Sequence, residues 1–373
     1  MSKRRAFDTD VFIIGGGPAG LAAGIAARRQ GLRVTVADGN KPPIDKPCGE
    51  GLMPDSLHAA AEIGIRIPES AGHPFRGIRF HGEPGQMVDA SFPNGAGLGV
   101  RRPMLHELLV AQAAEAGVEM LWSTPVSGIS HGQVELGNGT IRPRWIVGAD
   151  GGTSRARRWA GLDTWAHRSQ RWAWRQHFQV APWTDCMEIY WGADCQIYVT
   201  PVAADEVCVA LISRHQLLNV PDVLSRFPLL EEHLRDAVVS SRERGAITAT
   251  ARLRRVTKGN FALIGDASGS VDAITGEGLC LSFRHAALLA TSLAAGDLSL
   301  YESAHPKLVL RPRMMAELML TMDRWPLVRR RALSALSAST TTFERMLAMH
   351  VGALGLREMA AGGLTLGWHL LTS

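Results

Sequence analysis

The stretch Asp10–Asp38, DVFIIGGGPAGLAAGIAARRQGLRVTVAD, decides how the rest of the chain is read. Val11–Ile14 is an unbroken apolar run, as expected of a strand buried on both faces. Gly15, Gly17 and Gly20 follow at GxGxxG spacing. Leu21, Ala22, Ala23, Ile25 and Ala26 then repeat as a helix would, and Leu32–Ala37 reads as a second strand ending at Asp38. In such a unit the first glycine makes the turn, the second lets backbone approach a pyrophosphate, and the third lets helix and strand pack closely. The free N–H groups and positive end of the helix attract phosphate. Asp38 stands roughly 20 residues past the glycines, where an acid can bond a ribose. The strand before, the helix after and the placed acid together predict dinucleotide binding.

Working outward, 373 residues with 46% hydrophobic and 20% charged content are enough for one large or two closely joined domains with a real core. The net charge of +5 comes from arginines in short clusters such as Arg101-Arg102 and Arg329–Arg331. No nucleic-acid motif accompanies them, so no nucleic-acid partner is expected. Anionic cofactors, acidic substrates or a membrane surface account for the charge equally well. Cys48, Cys186, Cys195, Cys208 and Cys280 form no CxxC or metal-spaced cluster, and their number is odd. Reduced thiols, a cytoplasmic location and no metal site are the expectation. The N-terminal MSKRRAFDTD lacks the apolar segment of a signal peptide. No uncharged apolar run reaches the roughly 18 residues of a spanning helix.

After Asp38 comes a Pro- and Gly-rich loop, then a helix over 56–63. Short β runs occupy 74–100, a helix spans 102–116, and strands follow at 118–122 and 145–149 with a Gly137-Asn138-Gly139 hairpin turn between. Alternating patterns dominate 166–252, apart from a helix predicted over 221–239; 246–253 reads as one strand. A buried strand at 261–264 leads to GDASGSVDAITGEGL and a long helix over 279–295, and the remainder is helical. Gly95, Gly97 and Gly99 imitate a second nucleotide loop, but no buried strand leads into them, so a loop is the reading.

Three distant segments converge. Beside the N-terminal glycines stand Gly148-Ala149-Asp150-Gly151 with Ser154, Arg155 and Arg157, and Gly265-Asp266 with Gly276, Glu277 and Gly278. With Arg102 opening its helix, this set resembles the FAD-binding framework of the p-hydroxybenzoate hydroxylase-like flavoproteins. That superfamily includes class A flavin monooxygenases, geranylgeranyl reductases and flavin-dependent halogenases. The resemblance covers roughly 10–295. It implies an α/β fold, with a Rossmann-like FAD-binding domain of the glutathione reductase type built from 1–73, 101–165 and 255–300. An inserted β-sheet substrate domain would take 74–100 and 166–254, followed by C-terminal helices over 301–373.

The resemblance also implies roles. Asp266 would bond the ribityl hydroxyls, Gly276–Gly278 would face the flavin pyrimidine from a helix start, and Asp150, Ser154 and Arg157 would support FAD and reduced nicotinamide. Arg102, or Arg101 in its place, would contact the flavin. The loop Pro47–Pro54, PCGEGLMP, is similar to the CGxGL loop of the reductase subgroup and would lie along the isoalloxazine ring. Cys48 and Gly49 would then touch the flavin, with Cys48 either a proton donor or inert. Gln196–Pro201 resembles a degraded form of that subgroup's Tyr-containing motif, which nominates Tyr198 as catalytic. Trp174, His177, Tyr190 and Tyr198 would wall the substrate. Trp172-Ala173-Trp174 lacks the Ile-Pro of the halogenase motif, and no lysine lies between Lys46 and Lys258, both against halogenation.

The leading expectation is an NAD(P)H-dependent FAD monooxygenase acting on a small apolar or aromatic substrate. An ene-reductase of the geranylgeranyl type is the rival, favoured by Cys48 and its loop. A flavoprotein that modifies a partner protein is the third. The C-terminal helices carry Met314, Met315, Met319, Met322 and Trp325, and the last apolar segment has Leu364, Leu366, Trp368, Leu370 and Leu371. Core packing is the first reading of these residues; a tunnel cover, a peripheral membrane surface or a protein partner are the others.

Overall fold

The structure, a computed structural model, describes residues 7–354 apart from 84, 138 and 217. The last apolar segment singled out above lies outside the described residues.

Thr9–Ile14 lies at the centre of a six-stranded sheet, between Val34–Ala37 and Pro143–Gly148, with Glu119–Leu121 outside the former and Phe261–Leu263 and Thr257–Lys258 outside the latter. The pairs are parallel except the last. Val11, Phe12 and Ile13 are fully buried, which is why this strand tolerates no polar alternation. Helix Pro18–Arg29 packs against Arg102–Glu115 and Gly278–Ala295. The latter has the length and hydropathy of a membrane span, but it carries Arg284, and Leu281, Phe283, Leu289 and Leu293 are buried inside the protein.

A second sheet of eight strands takes residues from both sides of the first. Gly77–His81 and Met87–Ser91 join Cys186–Trp191, Cys195–Ala203, Glu206–Ser213 and Arg171–Gln179, with Val238–Val239 and Arg244–Thr248 on the outer edge. One face packs on helices Leu310–Arg324, Pro326–Ala338 and Thr340–His350. The other packs on the short helices Val220–Leu224 and Pro228–Leu234.

Three local expectations are corrected. The helix predicted over 221–239 is two helices and a strand, because Pro228 restarts the chain at a new N1 position. The strand predicted over 246–253 is two strands in different sheets, Arg244–Thr248 and Ala251–Leu253. Gly97–Gly99 is a strand, paired with Gly51–Leu52 and His73–Phe75. A Cβ on Gly99 would stand 1.7 Å from Pro201 O, so this glycine serves close backbone approach.

Candidate active site

The three glycine-rich segments line one end of a single cavity of about 700 Å³. At the first segment, Gly15 has φ +114°, and a Cβ there would meet Ala149 O at 2.5 Å. A Cβ on Gly20 would stand 1.9 Å from Gly15 O, so helix and strand touch through glycine alone. Gly17 opens instead onto free space. Helix Pro18–Arg29 starts with no side-chain cap and no acid in its first turn, and Gly17, Pro18 and Ala19 line the cavity. A helix start left this way suits a phosphate. Asp38 accepts the Gly16 N–H at 2.8 Å and the Asn40 N–H at 2.8 Å, fixing the glycine turn from the end of the second strand. His106 fixes it from the other side, its Nε2 meeting Gly16 O at 2.8 Å; burial lowers its pKa.

In the second segment, Ala149, Gly151, Gly152 and Thr153 line the cavity, whereas Asp150 turns inward. Its carboxylate accepts from the Ser154 hydroxyl and from the N–H groups of Arg155 (2.7 Å) and Ala156 (3.0 Å). Asp150 is therefore corrected to a cap of helix Arg155–Trp159, which positions the loop rather than lining the cavity. Arg157 is buried and donates to Gly152 O, Ala267 O and Asp163, clasping the second segment to the third.

In the third segment, Gly265 has φ +59° and lies close enough to Ala19 that a Cβ would meet its methyl at 2.7 Å. Asp266 stands in the cavity, open to it and walled by protein elsewhere. That enclosure raises its carboxyl pKa, against the pull of Lys46 and Arg102. Gly276 and Gly278 line the cavity with open space where a Cβ would be, and helix Gly278–Ala295 begins without a side-chain cap. Glu277 is the exception. Its side chain is 2% exposed, turned away from the cavity, and neither oxygen has a partner. The contact expected of this position is a backbone one, at the helix start between Gly276 and Gly278, and the side chain takes no part in it.

The loop Pro47–Met53 crosses the substrate sheet. Thr200 Oγ1 donates to Gly49 O at 2.7 Å, and Glu50, at φ +61°, plunges beneath the loop. Glu50 Oε1 accepts from Arg102 N–H (2.9 Å) and Arg175 (3.3 Å), while Oε2 meets His177 Nε2 at 2.7 Å. Arg101 turns to Glu206 and Glu50, so Arg102 is the arginine that lines the cavity. Cys48 and Gly49 line it too; the Cys48 sulfur accepts the Glu50 N–H at 3.4 Å.

Of the predicted substrate wall, Trp174 and Tyr198 line the cavity, and Tyr198 Oη donates to Ile274 O at 2.7 Å. His177 and Tyr190 do not. His177 shares the cavity face of its strand, but the loop covers it and Glu50 occupies its Nε2. Tyr190 points to the opposite face, where it stacks on His81 at 4.1 Å and donates to Glu188. Strand pairing explains this: Tyr198 stands across from Ile189, and Tyr190 across from Ile197. Lys46, Glu50, His106 and His350 were not singled out from sequence. Each is a lone polar residue whose role depends on a distant partner, so no local spacing marks it.

This donor set fits FAD. Two uncapped helix starts and Asp266 open onto the same cavity, and Gly17, Gly276 and Gly278 at those starts leave it clear of side chains.

The comparisons agree. Menaquinone reductase of Mycobacterium tuberculosis is 29% identical over 320 residues, covering 78% of each chain. Digeranylgeranylglycerophospholipid reductase of Thermoplasma volcanium is 27% identical over 300 residues, 72% of this chain and 74% of that one. Among solved structures, a flavoprotein/dehydrogenase from Cytophaga hutchinsonii superposes with a TM-score of 0.79 at 19% identity, over 92% of this chain and 93% of the other. A geranylgeranyl bacteriochlorophyll reductase-like protein from Thermoplasma acidophilum gives 0.72 at 21% identity, over 95% of both. These likenesses show the shared fold. The family described as FAD binding domain matches residues 8–309. The chain belongs to that family and is an FAD-dependent oxidoreductase.

Proposed function

We propose that this oxidoreductase saturates a carbon–carbon double bond in an elongated apolar substrate, with FAD reduced in turn by a nicotinamide nucleotide. The observation that carries the reading is the far end of the cavity. Beyond the glycines it is walled by Phe80, Ile189 and Ile212 of the sheet and by Met315, Met319 and Phe343 of the C-terminal helices. Met315, Met319 and Met322 of the methionine stripe line this space, whereas Met314 is exposed, and flexible thioethers conform well to a long hydrocarbon. The names of the curated relatives, reductases of menaquinone and of a geranylgeranyl lipid, support the same direction.

The chemistry needs a hydride at one carbon and a proton at the other. FAD, when bound, supplies the hydride. The chain supplies the proton and the geometry. Cys48 is the cysteine that lines the cavity, while Cys186, Cys195, Cys208 and Cys280 are buried elsewhere. Burial pushes the Cys186 thiol up to about 11 and the Cys195 thiol to about 12. Tyr198 keeps its proton, since its hydroxyl is committed to Ile274 O and burial raises its pKa. Cys48 Sγ–H is thus the proton donor of this reading, held in place by Glu50 beneath it.

The test is anaerobic incubation of the reduced, FAD-loaded protein with polyprenyl quinones and geranylgeranyl lipids, read by mass spectrometry. Gain of two hydrogens without oxygen is the expected result. Incorporation of an oxygen atom, seen in air alone, overturns the reading in favour of a monooxygenase. Cys48→Ala should keep its flavin and lose about a hundredfold in the reduction step.

A further inference from the structure

Behind the start of helix Gly278–Ala295 lies a buried polar cluster. Asp55 comes from helix Pro54–Glu62; Glu277, Cys280 and Arg284 come from the first turns of the long helix and its cap. Arg311 comes from helix Leu310–Arg324, and His350 ends helix Thr340–His350. Asp55 Oδ2 accepts from Arg284 (2.9 Å) and from the Cys280 thiol (3.2 Å), and stands 3.8 Å from Arg311 Nη2. His350 Nε2 meets Thr275 O at 3.2 Å, so Nε2 carries the hydrogen and Nδ1 is an acceptor.

The cluster is far from satisfied internally. Asp55 Oδ1, both Glu277 oxygens, Arg311 Nε and Nη2, and His350 Nδ1 are buried without a hydrogen-bond partner. Leaving such atoms dry forfeits the hydrogen bonds they make with water in the unfolded chain. Unpaired donors and acceptors so concentrated are of the kind that bound water satisfies together. The cluster also has two ends. Arg284 and Arg311 are 23% and 19% exposed, reaching the surface. His350 and Thr275 line the substrate cavity.

We propose that Asp55, Glu277 and His350 form a water-linked proton conduit from the Arg284–Arg311 surface to the cavity, with Glu277 storing the proton that replaces the one consumed there. The inference rests on the reductase reading for its consumer. Each turnover there adds one hydride, drawn from the nicotinamide reductant, and one proton to the double bond. The Cys48 thiol gives that proton; the Glu277 carboxyl then passes its own through water to the Cys48 thiolate, restoring the thiol, and the resulting carboxylate is reprotonated from solvent past Arg284. Burial pushes the Glu277 carboxyl up to about 8, with Asp55 adding to the shift and Arg311 and Arg284 opposing it, so it holds a proton at neutral pH. Burial lowers His350 to about 4 and keeps it neutral, so Nδ1 offers a lone pair to the last water.

Two measurements on the FAD-loaded protein test this. Infrared spectroscopy of the wild type at pH 7 should show a protonated buried carboxyl band that disappears through about pH 8 and is absent from Glu277→Gln. Steady-state anaerobic turnover with a nicotinamide reductant and substrate, which draws a fresh proton each cycle, should slow above about pH 8 in the wild type. In Glu277→Gln it should be about a hundredfold slower and flat with pH. His350→Gln should slow the reaction and keep the band. A wild type lacking the band, or Glu277→Gln with the wild-type rate and profile, overturns the conduit. A titrating Glu277 band in a protein that inserts oxygen overturns the reductase reading alone.

Discussion

Glu50 shows how much one side chain can hold. It occupies a left-handed backbone conformation, is fully buried, and joins the flavin-side loop to Arg102, Arg175 and His177. Removing it leaves the Arg102 N–H and His177 Nε2 buried without a partner and takes from Arg175 one of its two carboxylates, Asp45 being the other; breaking a buried pair costs about 3–5 kcal/mol. Glu50→Ala should therefore unfold at clearly lower urea concentration, while Glu50→Gln, which keeps the shape, should lose less. Gly20→Ala tests the glycine framework: a methyl 1.9 Å from Gly15 O forces strand and helix apart, so the purified variant should carry little flavin, read from its visible absorbance. At this scale the sequence was legible wherever chemistry is local. Gly15, Gly17, Gly20 and Asp266 announce themselves through neighbours a few positions away. Tyr190 and His177 could not be placed, because parity and cover are set by strand pairing and by a loop more than a hundred residues distant.

At the scale of elements, the strand–turn–helix at the N-terminus and helix Arg102–Glu115 were legible because one hydrophobic period runs through each. The stretch over 221–239 was not, since apolar spacing alone does not separate two short helices and a strand from one helix. The three C-terminal helices on the second sheet were legible as helices, but their partner was not, and that partner makes half the proposed substrate site. Helix Leu310–Arg324 offers the cleanest probe. Met319→Trp should fill part of the cavity, leave FAD content unchanged, and shorten the longest hydrocarbon chain accepted, measured across substrates of graded length.

For the whole molecule, buried ionisable groups set a pH dependence with a definite sign. The Glu277 carboxyl, at about 8 folded against an ordinary 4.5, binds its proton more tightly in the folded state, so its contribution falls as pH rises between those values. His305 and His350, both lowered to about 4 from 6.5, act oppositely: stability is lost as pH falls below 6.5. Together these groups place maximum stability near pH 6.5, with decline on either side. Urea midpoints across pH 5–9 check this, and Glu277→Gln should flatten the alkaline slope. The overall architecture was legible because three motifs on one α/β frame leave little freedom. That 74–100 and 166–254 share a β-sheet domain came with the resemblance; the strand order that sets 77–91 beside 186–191 was not legible, since no motif marks those pairings.

The alternation along Cys186–Trp191 and Cys195–Ala203 reaches beyond placing one tyrosine. Met187, Ile189 and Tyr198 look into the chamber, whereas Glu188 and Tyr190 knit the reverse side with His81 and Trp183. Neighbouring codons thus answer to different masters. A lineage could remodel what it accepts by drifting at every second position while its skeleton stays intact, so diversification among its descendants should be written in a stripe.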